Sequence, residues 1–311
     1  MDFEHLTAFE VFGLPVYRYG LFIGAGALLM CLAALLRAGK EHRASVLAAC
    51  AAALPCALVL SRLLYCLTDQ RFVGIAPLGK VFSLTNGGFS MLGALLGAAL
   101  GVVIVCRIGK KKVLPVMDQM VTGVPLFLIC ARAAEFFSDE FGVSKPLKTE
   151  WLEDTFLTVD SSYLMIYVLE AAFAALLFVI MLCCKKDRTV VFTLLFTAAQ
   201  VIFESLKKAD KHMAFGFVGV QHILSYTILA VTVIALGALA RKKGKKALPL
   251  AGWISAVPVA GIAVGLEFLY DRTNTAPMLL YAAYLVLVVY MAGLGFALLR
   301  ASRSPGQEKE N

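Results

Sequence analysis

Nine apolar stretches, each about the length needed to cross a bilayer, constrain this chain more than any other feature of it. They run over about 16–37, 46–67, 87–107, 113–135, 161–184, 188–206, 217–240, 248–269 and 276–300. A helix of about 20 residues rises ~30 Å, which matches the hydrocarbon thickness of a membrane. Backbone polar groups in lipid have to be satisfied within the segment, so runs of this length are expected to be helices. Sixty per cent of the 311 residues are hydrophobic, 16% are charged and the mean hydropathy is +0.82, which no soluble domain of this size matches. The expected fold is an all-α polytopic membrane protein with about nine transmembrane helices.

Basic residues between the spans give the orientation. With the N-terminus outside, eighteen Lys and Arg fall in cytoplasmic segments, among them Lys110, Lys111, Lys112 and the run Arg241–Lys246. Only eight fall outside, so the N-out/C-in arrangement is expected. The net charge of +8 is therefore a topology signal and not a groove for nucleic acid, which is not an expected partner. The opening MDFEHLTAFEVFG lacks a basic leader and reads as an uncleaved segment lying on the membrane surface. The eight cysteines sit within or at the ends of spans without metal-ligand spacing, so no disulfide, metal or cofactor is expected. The tail SPGQEKEN, residues 304–311, reads as disordered.

Polarity inside the spans points to a site. In DQMVTGVPLFLICARAAEFFSDE, residues 118–140, Arg132 and Glu135 stand three apart before the apolar run ends, on one helical face. An ionisable group at such depth costs about 2.5–3.5 kcal/mol on insertion scales and marks a candidate site. An interfacial ion pair, or an arginine snorkelling to the headgroups, is the structural alternative. Arg18 and Tyr19 open the first span at its outer end, and Arg62 and Tyr65 close the second there. Gln200 and Glu204 close the sixth, Gln221 and His222 begin the seventh, and Glu170 lies about one-third of the way down the fifth. Their common level predicts a polar cavity in the outer-leaflet half, with arginines suited to a lipid phosphate.

Other features are more ambiguous. Gly93, Gly97 and Gly101 recur every four residues, the spacing of close helix packing, whereas the pair Gly87–Gly88 can turn backbone N–H groups to an anion. The acidic, aromatic loop over about 138–160 reads as solvated or as a substrate-facing cap, and Asp160, Ser161 and Ser162 as the N-cap of the fifth span. KKADKH, residues 207–212, keeps three lysines outside against the positive-inside trend, and these can attract anionic headgroups.

In series these motifs resemble the bacterial prolipoprotein diacylglyceryl transferases. YRYGLF is similar to the family's opening run through Tyr19, Gly20 and Leu21, and SRLLY to its second-span element through Arg62 and Tyr65. GGFSMLGALLG follows the family's glycine run with Gly87, Gly88, Ser90, Gly93 and Gly97. Asp118 stands fourteen residues before Arg132, and ARAAEFFSDE resembles the family signature, keeping Arg132, Ala134, Phe136 and Glu140. Glu204 resembles the sixth-span Glu, and VQHILS a Gly-Gln-x-x-Ser element through Gln221 and Ser225. The likeness covers about residues 12–240. This gives a seven-span transferase-like region over 1–240, two additional spans over 241–303, and the tail.

The departures are specific. Leu92 stands where the family has a His, Gln200 where it has an Arg, and Glu135 and Ser138 where its signature has two Asn. The resemblance implies transfer of the diacylglyceryl group of phosphatidylglycerol to the lipobox cysteine of a prolipoprotein, at the outer leaflet of the bacterial cytoplasmic membrane. The expected partners are phosphatidylglycerol or another anionic phospholipid, and prolipoprotein signal peptides. Such a reaction needs a cationic clamp for the departing glycerol phosphate, which Arg62 and Arg132 supply, and a base to form the thiolate. Because leucine cannot move protons, the base has to come from Glu135, Glu204 or His222. Two alternatives stand beside this. One is a non-catalytic relative that binds phospholipid or lipoprotein precursors. The other is a small-solute transporter, against which the one-sided polarity argues.

Overall fold

The computed structural model describes residues 7–68, 88–137, 144, 158–159, 163–207, 213–214, 218–272 and 277–303. Among them are eight helices long and apolar enough to span a bilayer, or nine where the bent helix pair is counted as one span. Large hydrophobic side chains face outward along these helices, as with Leu28 at 74%, Val59 at 60% and Val257 at 77% exposure. In water such a surface would aggregate, whereas in lipid it is the ordinary exterior. The chain is a multi-pass membrane protein.

Two units divide the chain. The first comprises Met1–Thr189 with Leu206–Lys208, and the second Val190–Ser205 with Ala209–Asn311. The first opens on a hairpin, β1 (Thr7–Val11) against β2 (Leu14–Tyr17). The two-residue turn explains it: Phe12 and Gly13 both take positive φ, 51° and 77°, as a tight hairpin requires. Then follow α1 (Arg18–Arg37), α2 (Arg43–Thr68), α3 (Met91–Ile108), α4 (Val113–Met120), α5 (Val124–Ala134) and α6 (Ile166–Cys183).

The glycine stripe of the third span packs as its spacing predicts. A Cβ on Gly93 or Gly101 would come within 2.8 Å of the α2 backbone, and one on Gly97 would collide with the Cys56 carbonyl. The fourth span is not the continuous helix expected from its hydropathy. It breaks at 121–123 with a bend of 45°, between α4 and α5. Gly123 lies there against the Met30 carbonyl of α1, and Pro125 starts α5 where a missing N–H costs nothing. The fifth span also starts later than its polar residues suggested. α6 begins at Ile166 after Met165, because a short antiparallel pair, β3 (Thr158–Val159) and β4 (Tyr163–Leu164), takes up the chain first.

The second unit holds most of α7 (Arg188–Leu206), a small pair β5 (Met213–Ala214) and β6 (Val218–Gly219), and then α8 (Val220–Lys242), α9 (Ala247–Arg272) and α10 (Pro277–Ser302). Helices α9 and α10 pack on α8 and on each other. The tail 304–311 lies outside the described residues.

Candidate functional site

Within the first unit, α5 delivers Arg132 from its last turn, and the short 3₁₀ turn Glu135–Phe137 presents Glu135 one step later. Arg132 is only 8% exposed. Glu135 pairs with its Nη1, and Glu170 of α6 meets the other edge: Arg132 Nε lies 2.9 Å from Oε2 and Nη2 donates to Oε1 at 3.1 Å. The Nη2 contact is a charge-assisted hydrogen bond, and the Nε–Oε2 approach adds a close ion-pair contact on the same carboxylate. Nη2 also reaches Met91 Sδ at 3.0 Å. Lys207, one residue beyond α7, donates from Nζ to the same Glu170 Oε1 at 3.0 Å. A bridge between Ser144 and Lys207, and a hydrogen bond from Leu164 N to Ser144 Oγ at 2.8 Å, hold that lysine's backbone to the chain entering α6.

Two cations and two carboxylates thus meet at one end of α5 and α6. Glu170 is 5% exposed and lies four residues into its helix, about 6 Å along the axis. Tyr19 at the start of α1 is near enough for Arg132 and Glu135 both to act on it, and Tyr167 near enough for Glu135. Phe22 packs on Phe137 with ring centroids 5.2 Å apart, and Arg18 stands 5.8 Å over that ring, so α1 walls the turn that carries Glu135.

Arg62 and Tyr65 are built into a neighbouring layer. Arg62, 4% exposed, donates to the Gly88 carbonyl at 2.9 Å and lies over the rings of Tyr65 and Phe89, at 5.9 and 5.8 Å. Gly88 has φ +81°, and a Cβ there would strike the Tyr65 ring. The glycine's carbonyl is thus engaged by Arg62. The chain then turns into α3, with Ser90 N donating to Ser61 O at 3.0 Å and Ser90 Oγ capping Gly93 N. The short run Gly88–Met91 therefore touches Arg62 at one end and Arg132 at the other. Leu92, where the resemblance has a histidine, is 2% exposed in the first turn of α3.

Glu204 and Gln221 fall in the second unit. Gln200 Nε2 donates to Glu204 Oε1 at 3.0 Å, and the Gln221 carbonyl accepts from Ser225 Oγ at 2.8 Å. Beside them is a buried cluster. His222 Nδ1 lies 3.5 Å from Glu267 Oε1, which also lies 3.1 Å from the Tyr284 hydroxyl, and all three residues are at most 3% exposed. Gly87 and Glu140, the remaining expected site residues, lie outside the described residues. Sequence reasoning left Lys207 out of the site and used Glu170 only as one embedded carboxylate among several. Three lysines beside an apolar span were the signal for the first, and a lone acid within an apolar helix for the second.

Fold and site together define a multi-pass membrane protein that holds a cluster of paired charges at the end of its spans. The family model described as prolipoprotein diacylglyceryl transferase matches residues 6–238, and the chain belongs to that family. A phosphatidylglycerol–prolipoprotein diacylglyceryl transferase of Finegoldia magna is 22% identical over 238 residues, 73% of this chain and 93% of the relative. One from Clostridioides difficile is 26% identical over 136 residues, covering 43% of this chain and 54% of the relative. Another, from Clostridium perfringens, is 31% identical over 124 residues, 38% and 46% of the two chains. This chain thus spans nearly all of the first relative and about half of the other two.

Proposed function

We propose that this chain transfers the diacylglyceryl group of phosphatidylglycerol to the cysteine of a prolipoprotein, at the outer leaflet of a bacterial cytoplasmic membrane. The observation that carries this reading is the family match over 6–238, with Arg132 buried between two carboxylates inside the matched region. In the reaction the cysteine sulfur forms a bond to the glyceryl carbon, the bond from that carbon to the phosphate oxygen breaks, and glycerol phosphate leaves with the electron pair. Arg132 is suited to the phosphate, because a planar guanidinium can exchange a carboxylate partner for a phosphate oxygen in the same geometry. Glu135 then accepts the thiol proton. It is the carboxylate that the lipid phosphate displaces from Arg132, so the base is freed only when the lipid is in place.

The test is a transfer assay of the purified chain, with labelled phosphatidylglycerol and a lipobox peptide. Wild type is expected to transfer the label, and Glu135→Gln to lose about 10²-fold or more. Transfer that survives Glu135→Gln removes Glu135 as the base. A second reading, a relative that binds phospholipid without reacting, draws on Leu92, whose buried apolar side chain takes no part in proton transfer. An inactive wild type that gains transfer in Leu92→His would decide for it.

A further inference from the structure

Lys207 is the one lysine of the KKADKH run whose side chain is described, and it is not a loose surface charge. Its side chain is 18% exposed and its amine is fixed on Glu170. Both Lys207 Nζ and Arg132 Nη2 touch the same oxygen, at 3.0 and 3.1 Å, so the two cationic nitrogens stand no more than about 6 Å apart. That separation is one a phosphate can bridge, taking one cation on each of two non-bridging oxygens. We propose that Lys207 is the second cation of the lipid-phosphate seat, held beside Arg132 by their shared carboxylate, Glu170.

Charge balance indicates how the seat is occupied. Arg132 and Lys207 offset Glu135 and Glu170. A phosphodiester adds one negative charge, so one carboxylate has to withdraw. Glu170 is the better held, at 4% side-chain exposure with two cations on it. Glu135 is at 16%, on a three-residue turn, and is the one with room to leave. Glu170 then acts as a positioning residue that keeps both cations aimed at the phosphate. Lys207 adds a point charge beside a fork, which suits the two different oxygens of a diester. The inference rests on taking the charged cluster as the lipid site, and binding tests it apart from catalysis.

Binding of phosphatidylglycerol and of diacylglycerol, which lacks the phosphate, is measured on the full chain in zwitterionic detergent. The variants are Lys207→Gln, Lys207→Arg and, as a control of equal charge loss, Lys111→Gln. Lys207→Gln is expected to weaken phosphatidylglycerol roughly tenfold, about the effect of one charge-assisted hydrogen bond. Diacylglycerol should not change, Lys207→Arg should restore most of the loss, and Lys111→Gln should behave as wild type. Wild-type affinity in Lys207→Gln, or equal losses for the two lipids, would overturn the proposal. A measurement without any variant stands beside this: phosphatidylglycerol, and not diacylglycerol, should slow acetylation of the Lys207 amine in the wild-type chain. An unchanged rate counts against the proposal. Lys207-dependent binding without any transfer would leave this inference standing and defeat the catalytic reading.

Discussion

Removing the Arg132 guanidinium would leave two carboxylates in a barely exposed site without the cation that pairs them. Arg132→Ala is accordingly expected to abolish transfer and to destabilise the protein by about 3–5 kcal/mol, read from thermal unfolding in detergent. Arg132→Lys keeps the charge and loses the fork, so it should spare most of the stability while transfer falls sharply. The two effects separate the structural and the chemical work of one side chain. Gly88 makes a different demand, since its φ of +81° and the Tyr65 ring both exclude a side chain. Gly88→Ala should cost about 1–3 kcal/mol of stability and disturb Arg62, whose hydrogen bond runs to that residue's carbonyl. Arg132 and Glu135 were legible as a pair because an i,i+3 spacing inside an apolar run fixes a shared face. Glu170 and Lys207 were not legible as their partners, because 38 and 75 positions separate them from Arg132 and only the packing of α5, α6 and the end of α7 brings them together.

Among the elements, the α2–α3 interface was the most readable, since glycine every fourth residue has one common use in a membrane helix. Gly97→Leu should force these helices apart and cost about 1–3 kcal/mol or more, seen as a lower unfolding temperature with the neighbouring helices retained. The break between α4 and α5 was hidden, because hydropathy averages over a bend that a small residue and a proline permit locally. Asp118, on α4, accepts from Thr189 N at 2.8 Å and from Thr189 Oγ1 at 2.6 Å. It thereby caps the start of α7 from a distance, a role no local pattern shows. The two helices beyond the matched region are joined to it by chemistry as well as packing. Glu267 of α9 and Tyr284 of α10 meet His222 of α8, and the match ends at residue 238, inside α8. A double-mutant cycle of Glu267→Gln with Tyr284→Phe should return a coupling of about 0.5–3 kcal/mol.

At the scale of the whole molecule, the apolar runs predicted a bundle of eight to nine long apolar helices among the described residues, because lipid leaves the backbone few options. The orientation rests on the basic asymmetry. A reporter fused after Lys246 should read cytoplasmic and one near Trp151 external, and the reverse at both sites would put the proposed lipid site on the wrong leaflet. The Arg132–Glu170 pair also bears on how the chain is made. These residues belong to consecutive helices that run in opposite directions, so a nascent α5–α6 hairpin carries its own counter-ion. Leaving the translocon alone, α5 would bring Arg132 with Glu135 as its one partner; leaving together with α6, it adds the better-buried Glu170 on the guanidinium's other edge. Biosynthesis is therefore expected to release the two helices as one insertion unit, with Lys207 joining only after α7 has been synthesised.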